Sequence, residues 1–263
     1  MKRPFERSGN RPHRPQRPQI KPDPRDSEAD DLLYGVHTVV EALANPARKH
    51  VKLYVTKNGL DRLGDAIAQS GLEPEMKMPA ELDRLVGSDA VHQGIVLETK
   101  PLSQPYLHNI PREGVVIMLD QVTDPHNVGA IMRSCAAFNV TALVTTARHS
   151  AEMNGVLFKA ASGATEHVPF VKVTNLARAM AELKEYGFRI VGLDSEADQP
   201  IEAEAGKAPL ALVMGAEGKG LRQLTRESCD AVVRLDLPGA IKSLNVSNAA
   251  ALALYTITRK AET

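Results

Sequence analysis

Residues 115–120 read Val115-Val116-Ile117-Met118-Leu119-Asp120, an apolar run closed by a single carboxylate. A strand with one wet face alternates apolar and polar residues. An unbroken run is what a parallel strand covered on both faces requires. Shorter runs recur at Ala142–Thr145, Val168–Val173, Arg189–Leu193, Leu210–Met214 and Ala231–Leu235. Stretches with apolar residues at helical spacing separate most of them: Val128–Phe138, Gly155–Ala161, Leu176–Tyr186, Leu221–Glu227 and Val246–Arg259. Alternating strands and helices predict an α/β fold built on a parallel sheet. Ligands of such sheets bind beyond the carboxyl ends of the strands. Chemistry is therefore expected in the loops after Leu119, Thr146, Leu193, Met214 and Leu235.

Upstream, Lys100 to Gly114 carry Pro101, Pro105 and Pro111 and hold no period, which predicts an interdomain linker. Before it lies a smaller α/β unit. Tyr34–Leu43 has helical spacing, Val51–Thr56 reads as a strand, and Leu60–Gln69 reads as one helix closed by Gly71. A weak strand at Glu75–Met78, a helix starting at Pro79 and a strand at Gly94–Thr99 complete it. The expected organisation is an arm over 1–30, a small domain over 31–100, a linker over 101–114 and the parallel-sheet domain over 115–263.

The arm is the part that cannot fold alone. Residues 1–27 hold six prolines and only Met1, Phe5 and Ile20 as large apolar residues, too few to offset ordering entropy. They also hold eight basic residues against three acidic ones, so the neutral net charge of the chain hides a basic tail on an acidic body. Such an arm is either a sequence-independent phosphate binder or a solubilising tail.

Composition excludes several classes. No apolar run approaches the roughly 20 residues of a membrane span, and the N-terminus lacks a signal-peptide core. No membrane contact is expected, and a cytoplasmic protein is. Cys135 and Cys229 stand alone, without partners at zinc spacing, and read as two buried thiols. Neither G-x-x-x-x-G-K-[ST] nor G-x-G-x-x-G occurs, which disfavours a Walker NTPase and a dinucleotide-binding dehydrogenase. H-E-x-x-H and G-x-S-x-G are also missing.

Three loop segments remain. In Asp120–Arg133, Asn127 either caps a helix or touches a ligand, and Arg133 can reach a phosphate. In Gly215-Ala216-Glu217-Gly218-Lys219-Gly220, glycines let backbone amides approach a ligand, and Glu217 is a carboxylate inside the loop, unless the segment is simply a tight turn before a helix. In Leu235–Asn248, Ser243 and Asn245 either cap the last helix or hold a polar ligand beside Leu244.

Taken together and in this order, the three segments resemble the SpoU (TrmH-type) ribose methyltransferases of the SPOUT superfamily. The pieces that carry the resemblance are N-x-G-x-x-x-R at Asn127–Arg133, G-x-E-G-x-G at Gly215–Gly220 and S-L-N-V-S at Ser243–Ser247, with the family-like stretch Ala161–Pro169 between them. The match spans 115–259. The unit beginning at Tyr34 is similar to the family's RNA-binding domain, which resembles a ribosomal protein. That unit is similar to the one in bacterial enzymes that methylate a guanosine ribose in large-subunit rRNA.

The resemblance implies methyl transfer from S-adenosylmethionine to a ribose 2′-OH, with S-adenosylhomocysteine as product and no metal. It implies a C-terminal trefoil knot in the sheet domain, a homodimer, and large-subunit rRNA as partner. Gly215, Leu235 and Leu244 match the family's main-chain contacts to the cofactor, and Leu193 is a further candidate for that wall. Asn127, Arg133, Glu217, Ser243 and Asn245 match its polar catalytic set, with Glu217 fixing either the glycine loop or Arg133. Two alternatives stand beside this reading: a tRNA ribose methyltransferase, whose members usually lack the small domain, and a catalytically silent ribosome-assembly factor on the same fold. Many relatives carry Asn where Ala216 stands, and the rRNA enzymes tolerate Ala there, which leans toward rRNA.

Overall fold

The computed structural model describes residues 30–241 and 243–259. The basic arm, expected to be disordered, lies outside the described residues.

The small unit runs β1 (Asp31–Tyr34), α1 (Val36–Ala44), β2 (His50–Val55), α2 (Lys57–Leu63), α3 (Asp65–Ser70), β3 (Glu75–Met76), α4 (Pro79–Val86) and β4 (Ile95–Thr99). Its sheet has the order β1-β4-β2-β3. Two expectations change here. Tyr34 ends a strand rather than opening a helix. The helix expected over Leu60–Gln69 is two helices, because Gly64 turns the chain at φ 49°. Apolar spacing cannot report that break, since Leu60 and Leu63 before it and Ala66 and Ile67 after it all pack toward the same core. Gly71 does close the second half in the left-handed conformation.

The larger unit runs β5 (Val115–Asp120), α5 (Pro125–Ala137), β6 (Ala142–Thr146), α6 (Gly155–Ala161), β7 (Phe170–Val173), α7 (Leu176–Glu185), β8 (Arg189–Leu193), β9 (Gln199–Pro200), β10 (Leu210–Gly215), α8 (Gln223–Glu227), β11 (Ala231–Arg234) and α9 (Val246–Thr258). Its seven strands have the order β7-β6-β5-β10-β8-β11-β9, and every pairing is parallel. The two-residue β9 was not legible in the sequence.

All six residues of β5 are buried, which is why the run carries no polar alternation. Val115, Ile117 and Leu119 pack with α5, α6 and α9 on one face, and Val116 and Met118 with α7 on the other. Full burial of each such aliphatic side chain contributes about 1.5–3 kcal/mol. The second face is also covered by Leu107 and Ile110, so the proline-rich segment before β5 packs against the sheet instead of spanning open solvent. Of the two thiols, Cys135 is buried and Cys229 only half-buried; burial pushes the Cys229 thiol up to about 11.

The two units share one apolar core through α1, β1 and α6. A buried guanidinium crosses the joint. Arg48 donates to Glu166 at 2.5 and 3.2 Å and to Asp31 at 3.0 Å. Asn45 adds a bond to Glu166 at 2.8 Å, and Thr38 Oγ1 donates to the Phe158 carbonyl at 3.3 Å. Gly155 is needed beside β1, since a Cβ there would stand 2.6 Å from the Tyr34 ring. Burial raises the Asp31 carboxyl above its ordinary value, with Arg48 opposing the shift.

Candidate active site

From β5 the chain steps outward to β6 and β7, then crosses back to place β8 on the other side of a gap that β10 fills. The rim above β5 and β10 is therefore the point where the winding direction reverses, the usual site of ligand binding in open parallel sheets. The first turn of α5, after β5, carries Asn127, and the loop after β10 carries Glu217.

The loop after β10 doubles back at once. Gly220 N donates to Ala216 O at 2.9 Å, and the two residues form an isolated antiparallel bridge. This closure demands glycine at 215, because a Cβ there would stand 2.1 Å from the Gly220 carbonyl group. Gly218 and Gly220 hold φ of 75° and 63°, a region open to glycine without steric cost. The end of the loop is pinned to β5. Arg222 donates to the buried Asp120 from its backbone N at 3.1 Å and from Nε at 2.7 Å. A carboxylate ending a fully buried strand requires such donors. The lone carboxylate that closes the apolar run Val115–Leu119 is the sequence signal for this bond.

Asn245 takes the first of the two roles the sequence left open and adds bonds within the protein. It caps α9, its Oδ1 accepting from Ser247 N at 2.9 Å and Ser247 Oγ at 2.6 Å. Its amide nitrogen then donates to Asn127 Oδ1 at 2.9 Å and to Glu217 Oε2 at 3.4 Å. Asn127 is no cap. Pro125 opens α5 and Asp124 caps it, accepting from His126 N at 2.9 Å. The Asn127 amide nitrogen donates to no described residue and is available to a ligand. The three loop motifs thus converge on one hydrogen-bonded group of three side chains.

Beside this group lies a cavity of about 380 Å³ between the β8, β10 and β11 loops. Leu193, Gly215, Leu235 and Leu244 all line it, together with Glu217 and Ser243. Asp194, Ser195, Met214 and Leu237 complete much of the wall and were not singled out by motif. Asp194 is ion-paired to Arg226. Arg133 stands apart. It lies further along α5, is exposed, and bonds no described residue; the partner of Glu217 is Asn245.

Residues 114–255 match the SpoU rRNA Methylase family, and residues 32–105 match the RNA 2′-O ribose methyltransferase substrate binding family. The chain belongs to the SpoU rRNA methylase family. It is 38% identical over 240 residues to the 23S rRNA (guanosine-2′-O-)-methyltransferase RlmB of Photorhabdus laumondii, covering 88% of this chain and 98% of that one. It is 37% identical to the Escherichia coli protein of the same name, over 88% of this chain and 98% of the relative. Its fold is that of the SpoU methyltransferase AviRb from Streptomyces viridochromogenes solved with AdoMet (TM-score 0.74, 23% identity, 88% of this chain and 89% of that one). The family's substrate-binding and methylase portions are therefore both present, joined through the Arg48 contacts.

Proposed function

We propose that this SpoU protein transfers a methyl group from S-adenosylmethionine to the ribose 2′-OH of a guanosine in large-subunit (23S) rRNA. The observation that carries the reading is the meeting of Asn127, Glu217 and Asn245 at the edge of the cavity walled by Leu193, Gly215, Leu235 and Leu244. The residues present fit the cofactor. The leucines supply an apolar wall, the Gly215 closure brings loop backbone to the cavity, and Glu217 and Asp194 offer carboxylates to a cationic ligand. When bound, S-adenosylmethionine supplies an electrophilic methyl on a good leaving group, so the reaction needs no metal.

The chain's own residues must position and polarise the hydroxyl. Alcohols are poor nucleophiles until their proton is moved. Asn245, fixed by Ser247 on one side and Asn127 on the other, holds its amide in a set orientation. Asn127 and Ser243 complete the polar edge. Arg133 is positioned to meet the substrate's phosphate or 2′-OH rather than another protein group. Its guanidinium offers a fork of N–H donors suited to bind and stabilise developing negative charge.

Several finer readings belong with this proposal. The chain is organised as a basic arm over 1–30, an RNA-binding domain over 31–100, a linker over 101–114 and the methyltransferase domain over 115–263. Ser243 and Leu244 share the cavity wall with the β10 loop before α9 packs onto α5, an arrangement that suits a knotted C-terminus. The protein acts as a homodimer in the cytoplasm; the outer side of α9 carries exposed Leu252 and Tyr255 beside α5. The test is tritium transfer from labelled S-adenosylmethionine to unmodified large-subunit rRNA and to bulk tRNA, with mapping of the product. A single 2′-O-methylguanosine in rRNA is expected. Label in tRNA alone overturns the rRNA assignment, and no transfer to either, with cofactor bound, favours the silent assembly factor.

A further inference from the structure

A second cavity, of about 240 Å³, opens on the same rim over β5, β6 and β7. Its lining includes Gln121, Arg148, His149, Thr174, Asn175 and Arg222, and none of its lining residues is acidic. The buried carboxylate nearby, Asp120, is already taken by Arg222. Arg148 and His149 are exposed and form no ion pair or hydrogen bond from their side chains to any described residue.

Their backbone, in contrast, is held. Ala147 N donates to Val173 O at 2.8 Å, extending the β6–β7 pairing past the strand end. Thr146 Oγ1 donates to the Arg148 carbonyl at 2.6 Å, and His149 takes a left-handed φ of 57°. The turn therefore presents two donor side chains from a fixed base over a pocket whose wall mixes hydroxyl and amide groups with Leu176, Ala177 and Leu224. A guanidinium presented this way matches the geometry of a phosphodiester oxygen pair.

The location says which phosphodiester. Gln121 lies in the β5–α5 loop that leads to Asn127, so this cavity and the catalytic group flank one loop. A nucleotide strand seated at Asn127 and Arg133 has to cross the rim. On the β8–β11 side it meets Glu196 and the ion pairs Asp194–Arg226 and Asp236–Arg234, whereas on this side it meets Arg148, which has no acidic partner among the described residues.

We infer that the Arg148–His149 cavity binds a backbone phosphate of the substrate RNA next to the methylated nucleotide. This rests on the RNA methyltransferase reading, and the test separates the two. Phosphate contacts fix register on the nucleic acid and leave chemistry untouched. Binding of an rRNA fragment that wild-type protein methylates is measured across salt concentrations of about 50–200 mM, with steady-state methyl transfer and cofactor binding in parallel. Arg148→Gln is expected to weaken RNA binding about tenfold and to reduce the salt slope by about one. KM for RNA rises while kcat and cofactor affinity stay near wild type. Arg148→Lys keeps most of the slope, and Lys207→Gln, ahead of β10 at the opposite end of the sheet, changes nothing. An Arg148→Gln/His149→Gln double variant with wild-type affinity and slope overturns the inference while leaving methyl transfer established. Loss of cofactor binding in Arg148→Gln overturns it too, by assigning the residue to the other cavity. A wild-type protein that neither binds nor methylates rRNA overturns both readings together.

Discussion

The loops after β10 and β6 end neighbouring regions of one parallel rim, yet they arrange their charged side chains in opposite ways. After β10, a glycine hairpin closes on Gly215, and the carboxylates around its cavity are held: Glu217 by Asn245, Asp194 by Arg226. After β6, the turn is fixed by Thr146, but Arg148 and His149 have no acidic partners among the described residues. Pinned carboxylates suit a compact cationic cofactor, whereas unpaired guanidinium and imidazole groups suit a polyanionic strand. The group of Asn127, Glu217 and Asn245 lies at the boundary, over β5 and β10, where the two ligands must meet.

The largest effect is expected where the two sides join. Arg133→Ala should lower kcat by about 10²–10³-fold, the usual cost of removing a donor aimed at developing charge. Equilibrium binding of S-adenosylmethionine should stay within about twofold, because Arg133 does not line that cavity. Next comes a break of the cofactor side alone. In Gly215→Ala the new Cβ must displace the Gly220 backbone from 2.1 Å, and calorimetry should show cofactor affinity weakened by about 10- to 100-fold. RNA affinity should change little. A smaller effect is expected for Arg222→Met, which leaves Asp120 buried with only a backbone donor. A loss of about 1–3 kcal/mol in denaturant unfolding is expected, with the glycine loop loosened first. The smallest effect concerns Cys229, which packs against Gly192 beneath the cofactor side. Burial pushes its thiol up to about 11, so iodoacetamide at pH 8 should leave it almost unlabelled until the protein unfolds.

What the sequence made legible follows from how local each interaction is. The run Val115–Asp120 reported its own burial, and six of the larger unit's seven strands fell where apolar runs placed them. All four residues expected around the cofactor line one cavity, because motif loops at strand ends share one rim by topology. The joint between the two units was not legible. Arg48 stands in the polar stretch Asn45–His50 and reads as surface, yet it is buried by Glu166, 118 residues away. A charge is buried only when its partner arrives, and no local pattern announces a partner from another unit. Asn245 shows a different limit. Its cap uses the amide oxygen and its bond to Asn127 the amide nitrogen, so one side chain serves both and no local pattern separates the two uses.

The most direct measurement is single-turnover methyl transfer to large-subunit rRNA by wild-type and Arg133→Ala protein, each first saturated with labelled S-adenosylmethionine. The account predicts equal cofactor occupancy in both, with transfer to a guanosine ribose only by the wild type. Normal transfer by Arg133→Ala, or loss of cofactor occupancy in that variant, would contradict the division of the rim into a cofactor side and a substrate side.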